Sequence, residues 1–385
     1  MPRPFWPRIA RRFPPGKPAI VTLIATLVAA CALGAGQPAS PAQPAPAPPA
    51  QPPAASPADP TADLLARLQA IPALPGYEDT LRAALVAELP GWSEPKVEEP
   101  GSLVVDLGGQ GPPRLVAAPL DEPGYVVTEV DTAGYLRVSR LAGWGRLYDQ
   151  FHVGQRFLVL TERGPMAAVS AAPSVHLRGR AATQSEPLTV ADLWLDLGFH
   201  SRSEAVRAGV QILDAVTLVE RHTPLAGGRA AGPGLMGRAE LVALLRALLG
   251  SRPQTHAHWI AAFTAQAQPG GRGLRRLIRR FDPSEVYVLG GFPRGSLGRG
   301  FVVQSDSLKG LDPDLTRKLV RLAGNDGQRG SRAFAPDLAG LDALGRTPAA
   351  VLGLPVRYAH TSAEIVDAAD VASLAAFLRR LMEAP

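Results

Sequence analysis

Leu64, Leu65, Leu68 and Ile71 recur at the spacing of one helical face, and Leu81, Leu85 and Leu89 repeat that spacing after the turn PALPGYED. The pattern then shortens. Ser102 to Leu107 (SLVVDL) and Leu115 to Pro119 are apolar runs separated by GGQGPP, which predicts two consecutive strands. From Tyr125 to about Arg221 the chain offers only short β-like runs (YVVTEV, GYLRVSRL, RFLVLTE, PMAAVSA, LWLDLGF, AVTLVE), interrupted by one helical stretch, SRSEAVRAG. Helical spacing returns at Arg238 to Leu249. Thereafter strand-like HWIAAFTA, VYVLGG and GFVVQSD alternate with the helical stretches GLRRLIRRF and PDLTRKLVRLA, and the chain closes on a strand, a loop and an amphipathic helix. Alternating helices and strands on both sides of a β-only block predict one α/β domain that carries an inserted β-domain.

Composition and charge narrow the picture. The 385 residues are 46% hydrophobic and 19% charged, enough to bury a large core. The formal charge of +6 says little about nucleic acids, because Arg3, Arg8, Arg11, Arg12 and Lys17 carry all but one of those excess charges. These cations precede AIVTLIATLVAACALGAG, a basic-then-apolar-then-small layout of a secretory signal. The sole cysteine, Cys31, ends Val28-Ala29-Ala30-Cys31, which resembles a bacterial lipoprotein signal with lipidation at Cys31. The Ala/Pro-rich residues that follow predict a semi-rigid tether of roughly 3.1 Å per residue. The expected division is therefore a signal over 1–31, a tether over 32–62, an α/β domain over 63–124 and 222–385, and a β-domain over 125–221.

The turn PGYE, the strand ending LDEPGY, the phrase LWLDLGFHSRSEAVRAGVQILDAVTLVE, then TAQAQ, GSLGRG and AHTSAEIVDAADV resemble, in order and spacing, the glutamyl or tetrahedral aminopeptidases. The resemblance runs from about residue 63 to 383. It implies a zinc-peptidase-like three-layer domain with a mixed sheet, an inserted small β-barrel-like domain, and large oligomers. It also implies two metal ions about 3.5 to 4 Å apart that activate a water for peptide hydrolysis.

Carried over residue by residue, most of the implied ligands are missing. The family's His-x-Asp is Pro119-Leu120-Asp121, so the histidine is lost and the Asp that would orient it remains. The bridging Asp of an Asp-Asn-Arg or Asp-Asp-Arg phrase finds only GRAAGPGLMGRAE, and no Asp or Glu lies between Glu220 and Glu240. The paired glutamates, one the general base, correspond to Ala267 and Gln268, and a glutamine cannot take a proton from a metal-bound water. The next ligand falls near Gly290; His360 alone stands where a metal ligand is implied. Without its histidine, Asp121 is expected either to pair with an arginine such as Arg238 or Arg357 or to cap a turn.

Other candidates have plainer explanations. His256 and His258 share a strand face but lack a third ligand, and His152, His176, His200 and His222 are scattered and read as structural. GGFPRGSLGRG has phosphate-loop glycine content without the Lys-Ser/Thr ending, and reads as a loop over the old site. The helix with Arg272, Arg275, Arg276, Arg279 and Arg280 reads as a solvated face, with contact to anionic headgroups as its alternative. No nucleophile phrase such as Gly-x-Ser-x-Gly occurs.

The expectation from sequence is thus a catalytically inactive, membrane-tethered lipoprotein that binds peptides or envelope partners. It would be exported and lipid-anchored to a bacterial cell membrane, with no metal, no nucleic acid and with homo-oligomers allowed. The alternative is an active metal-dependent aminopeptidase, with zinc or cobalt in a relocated or single-metal site built from His360, Asp121 and acids such as Glu122 or Asp306.

Overall fold

The structure is a computed structural model and describes residues 59–141, 152–171, 189–219, 221–306, 310–343, 345 and 347–384. The expected signal with Cys31, most of the tether, and His176 lie outside these residues. Helices α1 (Pro60–Gln69) and α2 (Asp79–Glu88) lead to strands β1 (Lys96–Glu98), β2 (Ser102–Gly108) and β3 (Gln110–Pro119). The chain next runs through β4 (Tyr125–Val130), β5 (Leu136–Arg140), β6 (Arg156–Thr161), β7 (Gly164–Ala171), β8 (Trp194–Asp196), helix α3 (Arg202–Ala208) and β9 (Ala215–Leu218). It returns by β10 (Thr223–Leu225) and β11 (Arg229–Gly232) to α4 (Leu235–Leu248), β12 (Ala257–Thr264), α5 (Arg272–Phe281) and β13 (Glu285–Phe292). Last come β14 (Val302–Gln304), α6 (Pro313–Ala323), β15 (Gln328–Gly330), β16 (Ala349–Pro355), β17 (Glu364–Asp367) and α7 (Ala368–Glu383).

Alternation along the central strands builds three layers. Val116 and Ala118 of β3, Ala261 and Phe263 of β12, and Tyr287 and Leu289 of β13 face one core with α1, α4 and α7. Their neighbours Leu115, Ala117, Ile260, Ala262, Val286 and Val288 face the other core, closed by Leu274, Leu277 and Ile278 of α5. Strands buried on both faces read as unbroken apolar runs, which is why these were legible as strands without a polar face. The sheet is mixed, in the order β1-β2-β12-β3-β13-β16-β14-β15, and β4 to β9 close into a separate six-stranded barrel. The expected α/β fold with a mixed sheet and a small barrel is what forms.

Two sequence boundaries shift for a local reason. The helix expected from Arg238 begins at Leu235, because Gly234 adopts a left-handed conformation (φ 63°) that lets the chain turn directly into the helix. In α4 all residues but Arg246 are buried, so it lacks the exposed stripe by which amphipathic helices are recognised.

At the centre of the sheet Gly290 and Gly353 sit opposite each other on the parallel strands β13 and β16. A Cβ on Gly353 would stand 1.7 Å from the Gly290 carbonyl oxygen. Gly353→Ala is therefore expected to push the strands apart and lower stability by about 3 kcal/mol or more. Urea unfolding of the purified variant measures this, and an unchanged midpoint would contradict so close a strand approach.

Candidate active site

Because β3, β12, β13 and β16 run parallel, their carboxyl ends (Pro119, Thr264, Phe292, Pro355) share one edge of the sheet. Open α/β sheets place ligands at that edge. Asp121 lies there, only 2% exposed. Its Oδ1 accepts the Ala267 N–H and its Oδ2 the Gln268 N–H, both at 2.9 Å. Asp121 thus ties the segment after β12 to the segment after β3 and caps a turn. Burial pushes its carboxyl well above the usual range, while the two N–H donors pull the other way.

The arginine pairing considered for Asp121 belongs to its neighbour. Arg221 Nη2 contacts both Glu122 oxygens at 2.5 Å, and the Arg238 Nη2 lies 3.5 Å from Glu122 Oε2. Arg221 also donates to the Gln69 carbonyl at 2.9 Å and to Thr217 Oγ1 at 2.8 Å. Glu122 sits where the chain leaves for the barrel and Arg221 where it returns, so one buried ion pair clamps both connections. Arg238 is buried, and desolvation lowers its guanidinium to about 10.

The amino end of α4 is held by Glu364, whose oxygens accept the Met236 N–H at 2.9 Å and the His360 N–H at 2.8 Å. When ionised, a carboxylate there complements the helix's positive end. Counting back from Arg238, Met236 takes the first place of the implied Asp-x-Arg phrase. Its side chain lies over Gly291: a Cβ on Gly291 would meet the Met236 Sδ at 2.2 Å and Cγ at 2.4 Å. His360 stacks edge-on against Phe334 at 4.5 Å, and burial lowers its imidazole to about 4, so it is neutral over the working pH range.

Glu240, Asp337 and Glu364 are buried acids that form no ion pair with an arginine or lysine among the described residues. Glu240 is fully buried, and neither of its oxygens has a hydrogen-bond partner among the described residues. Burial, then the charges of Glu364 and Asp337, push its carboxyl well up. Asp337 accepts the Thr264 hydroxyl at 2.5 Å, and burial lifts it to about 7. Burial lifts Glu364 to about 7 as well, against its backbone donors.

The structure thus brings Asp121, Ala267 and Gln268 into direct contact and places Pro119 and Gly290 on the same strand-end edge. It does not assemble a dinuclear centre from them. Among the described residues no group of three His, Cys, Asp or Glu stands where it could hold a metal ion. Both Asp121 oxygens are engaged, Glu122 is neutralised by two arginines, Asp306 is exposed, and Met236 covers the Gly291 backbone. The residues present do not fit two metal ions. His258 pairs with Asp106 at 2.9 Å, and His152 packs between Tyr125 and Phe157. The glycine-rich loop is anchored to α7, with the Gly298 and Gly300 N–H groups donating to Asp370. Sequence reading assigned no role to Glu364, Asp337, Arg221 or Met236. The one local signal was the four-residue spacing of His360 and Glu364; Arg221 and Glu122 lie 99 positions apart.

A profile of the M42 glutamyl aminopeptidases matches residues 101–377. The lysyl aminopeptidase of Pyrococcus furiosus is 27% identical over 345 residues, covering 83% of this chain and 96% of the relative. The glutamyl aminopeptidase of Lactococcus lactis is 26% identical over 352 residues, covering 83% and 95%. Among solved structures, a PhTET1-12s dodecamer superposes with a TM-score of 0.75 at 26% identity, covering 84% of this chain and 99% of its own. The Pyrococcus horikoshii TET1 peptidase, which assembles into a tetrahedron or an octahedral shell, gives 0.75 at 25%, covering 84% and 100%.

These likenesses correct four expectations. The reading as an inactive binding lipoprotein, and with it as a non-enzyme, gives way because relatives overlapping nearly end to end carry aminopeptidase names. The expectation of no metal falls with it, since the family is one of metal-dependent enzymes. Its physical basis was a count of ligand positions, which cannot register a ligand supplied from elsewhere in the fold. The exported, lipid-anchored location is corrected too, on the likeness to aminopeptidases such as the TET1 peptidase; no helix of the described residues is long and apolar enough to cross a membrane, and Cys31 lies outside those residues.

The site's chemistry sets two expectations. Asp121→Asn turns an amide N–H toward a backbone N–H and should cost about 1–3 kcal/mol in chemical denaturation; unchanged stability would contradict the capping role. Glu240, Asp337 and Glu364 hold protons when folded that an unfolded chain releases near pH 4. Their stabilising contribution is full below that pH and is lost as pH rises through about 7. Melting temperature should therefore fall by several degrees from about pH 5 to 8, and Glu240→Gln should flatten the fall; a Glu240→Gln profile parallel to the parent's would contradict this. On the profile match and the near-complete overlap with its relatives, the chain belongs to the M42 glutamyl aminopeptidase family.

Proposed function

We propose that this chain is a metal-dependent aminopeptidase that releases amino-terminal residues from peptides, with a single or relocated metal in place of the family's pair, and that it works as a homo-oligomer. The observation that carries the reading is the family match over residues 101–377, spanning the α/β domain and the barrel. Assembly is supported by the dodecameric form of a similar structure.

The chain's own residues prepare the edge where a peptide would lie. Asp121 fixes the backbone of Ala267 and Gln268, Glu364 fixes both the start of α4 and the His360 backbone, and the Glu122–Arg221 pair holds the barrel's two connections. His360 keeps a neutral imidazole, the form that coordinates a divalent ion.

The test is full-length protein stripped of metal, reloaded separately with zinc and cobalt, and assayed on aminoacyl anilides with metal content measured in parallel. Turnover that needs added metal, at no more than one ion per chain, is the expected result. No uptake and no turnover would overturn the reading, and two ions per chain would overturn the single-site form. His360→Ala should reduce both uptake and turnover by about tenfold or more.

A further inference from the structure

The arginines of α5 form a stripe of which the fold uses only part. Arg272, Arg276, Arg279 and Arg280 are exposed, while Leu274, Leu277 and Ile278 on the opposite side fill the core. Arg272 bonds to Gln266 Oε1 and Arg275 to the Gly270 and Ala339 carbonyls. Arg280 is 3.8 Å from Glu98 with its side chain 63% exposed. No carboxylate among the described residues pairs with Arg276 or Arg279.

Arg279 and Arg280, in the last turn, suit the helix dipole, but the rest of the arrangement works against the helix. Like charges at spacings of three and four residues (272/275, 272/276, 276/279, 276/280) each destabilise a helix by about 0.2–0.5 kcal/mol. The first turn carries cations and no acid, opposed to the helix dipole. A face kept soluble by charge alone would interleave glutamates with its arginines. This one concentrates five arginines in ten residues of a chain that is close to neutral beyond its amino terminus.

We propose that the α5 stripe is a docking strip for acidic stretches of peptide, an anionic partner supplying the countercharge that Arg276 and Arg279 lack among the described residues. Its position supports this occupant. Arg272 follows closely on the segment that Asp121 holds at the sheet edge, so the stripe starts at the rim of the candidate site and leads away from it. A bilayer fits less well, because interfacial helices insert an apolar face and that of α5 is buried. Nucleic acid fits less well too, since Phe281 alone offers an aromatic ring on this helix and it is half-buried. The proposal rests on the aminopeptidase reading for its purpose, and on charge and position for the binding itself.

The experiment measures fluorescence anisotropy of a labelled glutamate-rich peptide with the full chain, against a lysine-rich peptide and vesicles containing phosphatidylglycerol. Selective binding of the acidic peptide is expected, weakened about tenfold or more by added salt and by the double variant Arg276→Glu, Arg279→Glu. The variant should retain the parent's circular dichroism, oligomer size and turnover of a neutral aminoacyl anilide. Equal affinity of parent and variant, binding of the vesicles but not the peptide, or dissociation of the variant's assembly would each overturn the proposal. Acidic-peptide binding without turnover on any substrate would leave the strip standing and remove the aminopeptidase reading; turnover without peptide binding would do the reverse.

Discussion

The buried Glu122–Arg221 pair is the contact on which this two-part architecture depends. An inserted barrel leaves and re-enters its host by two strands of chain that have no reason to stay together. Here the outgoing strand carries the carboxylate and the incoming one the guanidinium. Both groups are nearly dry, so removal of either would leave an uncompensated charge in the interior, a cost of several kcal/mol. Arg221 spends its remaining donors on Gln69 and Thr217, linking the first helix, the barrel and the connection in one network. That rigidity reaches the candidate site, because Glu122 is the neighbour of Asp121.

Next to this clamp, the strand-end edge is organised by carboxylates that hold backbone. Asp121 takes two N–H groups after β12, and Glu364 takes one from α4 and one from the His360 loop. Charge held by backbone donors leaves few oxygens for a metal. At the Met236–Gly291 contact a long side chain at the start of α4 is accommodated because the facing strand has no Cβ there. The chain therefore has its family's scaffold, with carboxylates that hold backbone at its strand ends.

The buried acids and the α5 arginines are opposite solutions to placing charge. Among the described residues both Glu240 oxygens and one Asp337 oxygen lack a hydrogen-bond partner, and burial favours the protonated forms, which removes the charge. The arginines cannot lose theirs, so they stand outside and invite a partner.

The layers of this fold were legible in the sequence because local pattern carries them: unbroken apolar strands, amphipathic helices, and a run of short β segments between them. That Asp121, Ala267 and Gln268 lie in short phrases at strand ends was legible too, and the structure brings those phrases together. Glycine at 234 and the all-round burial of α4 hid that helix's start, because periodicity marks only helices with a wet face. What Asp121 binds, and that Arg221 rather than Arg238 is the main partner of Glu122, were decided by tertiary structure alone. Those contacts join residues about a hundred or more positions apart, and a hydrogen bond depends on where the fold brings two groups, which no local pattern along a chain records.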